Sequence, residues 1–296
     1  MQETATEAPP ARRWFITGAT GFIGRELVNS LTSLRNRNDQ IAVLVRPGQS
    51  ASAVERFASM LSPLLDAEEL SRIEVLSGDV EQPRFGLSAD DWHAVSHSTH
   101  LVLLAANTSF SASLEQTRNC NLCGVRHMAE LAADSAKYGT LQHWSHVSTA
   151  YVVGDRTDLI HPGDLNFGNR FRNHYEQSKN ESEHFLQPLL DDFPLTILRP
   201  SIVIGHSETG HAGNFNTVYW AIRSYLSGQM KLYARPGTPL DLVPVNYVVS
   251  AMLCLADCPA ARGKTLHLAG GENTTVSLLE FALRTCDDSG SPLPAI

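Results

Sequence analysis

The sequence predicts a doubly wound α/β fold, a parallel sheet covered by helices on both faces. Three observations carry that expectation. Short apolar runs and amphipathic segments alternate six times between Trp14 and Pro200. The first strand-to-helix boundary holds Gly18, Gly21 and Gly24 at a spacing of three. The small, polar and charged residues that stand out all fall at the carboxyl ends of the apolar runs, where such sheets bind ligands.

The elements follow in order. Trp14 to Ile16 reads as a buried strand, and Arg25 to Leu34 as a helix. Between them, Gly18 permits a tight turn, Gly21 lets backbone approach a pyrophosphate, and Gly24 lets the helix lie on the strand. The pyrophosphate would sit on the helix N-terminus, where free N–H groups favour anions. Thr20, Phe22, Ile23 and Arg25 belong to the same turn and are expected beside the dinucleotide. A glycine-rich turn without ligand is the alternative. Ile41 to Val45 is the second strand and ends in Arg46. An acidic residue at this place would accept from a ribose 2′-OH. A cation instead suits a 2′-phosphate and favours NADPH, unless Arg46 is only a solvated loop residue.

Ala51 to Leu61 and Ala67 to Leu70 read as helices broken at Pro63. Ile73 to Val80 reads as the third strand, with Asp79 and Val80 at an adenine, or with Asp79 simply forming a turn. Ser88 reads as the cap of a helix to His97. Leu101 to Ala106 is the fourth strand, and small Ala105 and Ala106 let a cofactor lie close. Leu114 to Tyr138 is a long helix holding Asn121. Trp144 to Ser148 is the fifth strand and leads into Thr149. A polar loop from Gly154 to Asn173 precedes a helix from His174. Leu195 to Leu198 is the sixth strand, closed by Arg199 and Pro200. Beyond Gly205 the alternation breaks. Phe215 to Leu226 reads as an aromatic-rich helix, more often core than pocket. Asp241 to Val245 is extended, Asn246 to Ala256 is a helix, and Thr265 to Leu268 is a late strand.

These elements divide as a flexible tail over 1–12, a nucleotide-binding domain over 13–204 and 241–269, and a small substrate lobe over 205–240 and 270–296. The 296 residues are 43% hydrophobic, enough for a large core, and a net charge of −8 without a basic run argues against nucleic acid. No apolar run has the length of a membrane span, and the first ten residues lack a signal peptide's pattern, so a cytoplasmic protein is expected. Five cysteines fit reduced thiols. Cys120 and Cys123 form a C-x-x-C followed by His127, a zinc or redox spacing. Without a second pair, and inside a helix, they read as structural thiols, and no metal is expected.

Tyr175 and Lys179 stand at i and i+4 on one helix. A lysine cation a few ångströms from a phenol is expected to lower its pKa and make it a usable proton donor to a carbonyl. Thr149, at a strand end, can donate to the same oxygen. An exposed helix pair is the alternative for Tyr175 and Lys179 taken alone.

The stretch from Thr17 to Gly24, the Ser148-Thr149 strand end, Tyr175-x-x-x-Lys179 and Arg199-Pro200 together resemble the extended short-chain dehydrogenase/reductases, from about Trp14 to Leu268. Within that superfamily, His146 to Val152, Leu198 to Gly205 and Leu242 to Val248 are most similar to the thioester reductase and fatty acyl-CoA reductase branch. The resemblance implies a Rossmann-type domain and an NADPH-dependent (NADP+-forming) enzyme. It implies that Thr149 binds the substrate carbonyl, that Tyr175 donates the proton, and that Lys179 holds the nicotinamide ribose. It further implies that Asn121 supports the lysine, often through water, and that Pro200, Ser201 and Ile202 lie beside the carboxamide. The sequence departs from the branch at Leu103, where a histidine is usual, and at Asn246, where an aspartate is usual. It also ends at Ile296 without the longer C-terminal region.

The expected activity is reduction of an acyl thioester, from coenzyme A or a carrier protein, to aldehyde or alcohol. A ketone or sugar-nucleotide reductase, dehydrogenase or epimerase of the same superfamily is the second expectation. A non-catalytic dinucleotide sensor is the third.

Overall fold

The computed structural model describes residues 11–33, 38–165, 168, 170–212, 219, 237–271, 274–277, 280–281 and 284. The expected helix over Phe215–Leu226 apart from Tyr219, the first ten residues and most of 270–296 lie outside the described residues.

Seven strands form one parallel sheet: β1 (Arg13–Thr17), β2 (Gln40–Val45), β3 (Ile73–Ser77), β4 (His100–Leu103), β5 (His143–Val147), β6 (Leu195–Pro200) and a late strand, Lys264–Leu268. Between β6 and the late strand come β7 (Ile202–Ile204), β8 (Pro239–Leu240) and β9 (Leu242–Pro244), which makes the late strand β10. The order across the sheet is β10-β6-β5-β4-β1-β2-β3. The order reverses between β1 and β4, and a crevice opens above their carboxyl ends. The doubly wound fold expected from the sequence is therefore the one found, and the late strand expected over Thr265 to Leu268 joins the sheet beside β6.

Among the described residues, seven α-helices flank the sheet: α1 (Phe22–Ser33), α2 (Ala53–Leu61), α3 (Ala67–Ser71), α4 (Ala89–Val95), α5 (Leu114–Lys137), α6 (His174–Leu186) and α7 (Val245–Ala256). Local chemistry sets their starts. Ser52, Asp66 and Ser113 form reciprocal capping boxes with Glu55, Glu69 and Gln116, and Ser88 and Asn173 each accept an N–H of the first turn. Leu27, Val28, Phe57, Leu61, Val248 and Met252 bury one face of the sheet. Trp92, Val125, Met128, Leu131 and Leu186 bury the other.

Two strands end sooner than the apolar runs suggest. β3 stops at Ser77, not Val80, because the chain folds back there: the Asp79 N–H donates to the Phe85 carbonyl at 2.8 Å. β4 stops at Leu103, so Ala105 and Ala106 lie beyond the ladder, with the Ala105 N–H donating to the Thr17 hydroxyl at 3.3 Å. β7 and β9 form a parallel pair outside the main sheet, and β8 pairs antiparallel with β11 (Val276–Ser277).

Candidate active site

The glycine turn lies in the crevice. Gly18 has φ +75°, and a Cβ there would stand 2.5 Å from the Ala105 nitrogen. A Cβ on Gly24 would stand 2.1 Å from the Gly18 carbonyl oxygen, so α1 starts in direct contact with the turn. Gly21 differs. It is exposed, and its Cβ would meet only the Gly18 oxygen, at 3.1 Å. The result is a close-packed turn with an open upper surface at the N-terminus of a 12-residue helix. That geometry fits a pyrophosphate. Thr20, Phe22, Ile23 and Arg25 are half-buried around it, with Ile23 packed against the core, and burial lowers the Arg25 guanidinium pKa.

On one side of the turn stand Arg46, Asp79 and Glu81. Arg46 Nη1 lies 3.6 Å from Asp79 Oδ2 and 3.8 Å from Glu81 Oε1. Asp79 also accepts the Glu81 N–H at 3.1 Å, as a turn-forming aspartate does. Val80 is buried in the core, and its carbonyl meets the His127 ring at 2.9 Å. The sequence reading missed two residues here. Glu81 escaped it because it follows the expected strand. Arg56, which donates to the Arg46 carbonyl at 2.6 Å, lies a helix away in the chain. An open cleft of about 470 Å³ lies alongside, lined by Glu81, Asn107, Ser109, Ser111, Gln116 and Asn119 among others.

On the other side α6 brings Tyr175 and Lys179 to the end of β5. Thr149 follows β5, is buried, and hydrogen-bonds the Tyr175 phenol. The Lys179 amine is buried and donates to the Val147 carbonyl at 2.8 Å. The expectation that lysine lowers the phenol's pKa is corrected here. Burial pushes Tyr175 up to about 12, and Thr149 is the group that pulls it down. Burial holds Lys179 down to about 8 against the opposing pull of Glu183. The i and i+4 spacing puts both side chains on one face, but the amine turns to the strand instead of the phenol. His146, on β5, is kept neutral by burial first and the Lys179 charge second.

Asn121 does not contact Lys179 directly. Its Nδ2 donates to the Ser178 hydroxyl at 2.8 Å and the Asn107 carbonyl at 3.2 Å, while its Oδ1 accepts the Asn107 N–H at 2.7 Å. It therefore ties the loop after β4 to α6. Ser178 donates in turn to the Tyr175 carbonyl at 2.9 Å. In that loop Phe110 is exposed, with its ring 6.2 Å from the Tyr175 ring. A single aromatic in a polar strand-end loop was the available signal for it.

Pro200 ends β6, and the Ser201 hydroxyl donates to Asp241 Oδ1 at 2.5 Å. The same carboxylate accepts the N–H groups of Gly270 and Gly271 at 3.0 and 3.1 Å. Ile202 donates its N–H to the Asp241 carbonyl at 3.3 Å. Arg199 is fully buried on Glu183, with Nη2 at 2.7 Å, and acts as a structural pair beneath the site. Asn246, the departure from aspartate, holds Ser207 through both amide atoms at 2.9 and 3.0 Å. Cys120 and Cys123 are free thiols, and burial pushes Cys120 up to about 11, which leaves it unreactive at neutral pH.

Comparison with known proteins bears on the family and the fold. An NAD-binding family described as male sterility protein matches residues 16–252. A nonribosomal peptide synthetase of Aspergillus flavus, asaC, is 28% identical over 88% of this chain and 26% of its own. A putative fatty acyl-CoA reductase of Drosophila melanogaster, CG8303, is 25% identical over 90% of this chain and 56% of its own. This chain thus spans about a quarter of the first of these relatives and about half of the second. Among solved structures, the terminal R domain of the myxalamid PKS-NRPS pathway superposes with a TM-score of 0.85 at 28% identity, covering 98% of this chain and 73% of that one. A thiolation-reductase di-domain from an archaeal non-ribosomal peptide synthetase shares the fold at a TM-score of 0.79 and 18% identity, over 97% and 77% of the two chains.

Proposed function

This chain belongs to the NAD-binding family of the male sterility proteins, and we propose that it reduces an acyl thioester to the aldehyde, and onward to the alcohol, using NADPH. The observation that carries the reading is the meeting of Thr149, Tyr175 and Lys179 at the end of β5, beside the glycine turn. Arg46 supports NADPH as the cofactor, since it is a cation where a 2′-OH-binding chain would hold an acid. The bound cofactor supplies the hydride.

The chain's residues do the rest. Thr149 donates a hydrogen bond to the thioester carbonyl oxygen and orients it. Tyr175, with a phenol near 12, is protonated at neutral pH and donates to the same oxygen as negative charge develops there. Lys179 holds the ribose and places a buried positive charge behind the tyrosine. Proton transfer from Tyr175 gives a hemithioacetal. Its collapse re-forms the carbonyl, breaks the carbon–sulfur bond and releases the thiol. The thioester arrives as a coenzyme A ester or on a carrier protein; the resemblance to a thiolation-reductase di-domain supports the carrier.

The test is NADPH oxidation against acyl-coenzyme A, a carrier-bound thioester, aldehydes and ketones, with free thiol measured alongside. Thiol release equal to the first equivalent of NADPH is expected. Activity on ketones or sugar nucleotides without thioester turnover would transfer the assignment to another branch of the short-chain superfamily. Cofactor binding with no turnover on any substrate would favour a sensor.

A further inference from the structure

We propose that Glu81 sets how strongly this chain prefers a 2′-phosphorylated cofactor, by competing with the phosphate for the Arg46 guanidinium. The inference rests on the reading that Arg46 is the 2′-phosphate contact, and adds a residue that opposes it. Four observations bear on it. Arg46 is mostly exposed, at 59% of its side chain, and its Nη1 lies between two carboxylates, 3.6 Å from Asp79 and 3.8 Å from Glu81. Both separations are too long for hydrogen bonds, so the guanidinium is attracted but not locked. Its backbone is pinned, because Arg56 donates to the Arg46 carbonyl at 2.6 Å. Glu81 also lines the open cleft that Asn107 and Ser109 share.

The two acids are not equivalent. Asp79 is committed to the turn through the Glu81 N–H, and its own N–H is bound to Phe85. The Glu81 carboxylate, 34% exposed, has Arg46 as its one salt-bridge partner among the described residues. A 2′-phosphate carries up to two negative charges and needs the same guanidinium. To pair with it, the phosphate must draw the guanidinium away from Glu81, which costs free energy. A ribose 2′-OH meets no such conflict and can donate to the carboxylate. Glu81 therefore penalises the phosphorylated cofactor and tolerates the other.

The test uses cofactor fragments, so it needs no turnover. Affinities for 2′,5′-ADP and 5′-AMP are measured by calorimetry for wild type, Glu81→Gln, Arg46→Gln and the double variant. Glu81→Gln is expected to tighten 2′,5′-ADP by roughly three- to fivefold, the upper scale of one partly exposed charge pair. Its 5′-AMP affinity should stay within about twofold of wild type, and the gain should shrink as salt rises from about 0.05 to about 0.5 M. In the Arg46→Gln background the gain should vanish, since the competition needs the guanidinium. If Arg46→Gln weakens 2′,5′-ADP but Glu81→Gln leaves it unchanged or weaker, Glu81 is not a competitor, and the NADPH reading survives. A gain that persists at full size without Arg46 also overturns the competition. If Arg46→Gln leaves 2′,5′-ADP unchanged, the NADPH reading falls and this inference with it. Equal melting temperatures for Glu81→Gln and wild type would exclude a folding defect at this surface position.

Discussion

Replacing Lys179 by methionine is expected to stabilise the protein at neutral pH while removing its activity. Lys179 is 3% exposed, and burial lowers its pKa from 10.5 to about 8. Between those two values the folded state binds fewer protons than the unfolded state, so this lysine's contribution to stability rises with pH. Below pH 8 the full cost of burying its charge is present. At about 1.4 kcal/mol per pH unit that cost is roughly 3 kcal/mol. Methionine removes the charge but also the donor to the Val147 carbonyl at 2.8 Å. A lost hydrogen bond of that kind costs about 1 kcal/mol. The net gain is roughly 2 kcal/mol, or about 5 °C in melting temperature for a chain of this size. The assay is thermal unfolding of both proteins from pH 6 to 10.5, scored as the difference between them. Tyr175 and Cys120, whose pKa values are raised by burial, lose stability for both proteins at the alkaline end and largely cancel in that difference. The variant's advantage should be constant below about pH 8, shrink above it, cross zero near about pH 9.5 and be reversed by about pH 10.5. An advantage absent at pH 7, or unchanged across the range, would refute the picture of a charged lysine held in an unfavourable site.

Other outcomes follow from the same geometry. Tyr175→Phe should bind NADPH normally and lose roughly a hundredfold in turnover. Thr149→Ala should cost nearly as much on a thioester, because its oxyanion needs both donors, and less on the matching aldehyde; steady-state rates on the pair of substrates decide it. Gly21→Val should fold yet lose cofactor binding by fluorescence titration. Gly24→Ala should unfold or melt far lower, because its Cβ would meet the Gly18 oxygen at 2.1 Å. Arg46→Glu should shift preference from NADPH toward NADH by roughly ten- to a hundredfold, measured as the ratio of dissociation constants.

The sequence by itself determined what depends on near neighbours in the chain. Strand-to-helix alternation, the glycine turn and the helix starts at Ser88 and His174 are legible there. Apolar period, turn chemistry and capping all act over a few residues. The same locality explains why the candidate residues could be picked out: Thr149 follows a strand and Tyr175 lies in the first turn of a helix. Tertiary structure decided what depends on distance and burial. β3 and β4 end early because the Phe85 carbonyl and the Thr17 hydroxyl capture the chain beyond them. Asn121 reaches Asn107 and Ser178, 14 and 57 residues away. Glu81 and Arg46 are 35 positions apart and meet because parallel β2 and β3 end side by side. The protonation of the site belongs to the fold in the same way. A pattern of Tyr-x-x-x-Lys gives a spacing, but the desolvation that raises the phenol and lowers the amine comes from everything packed around them.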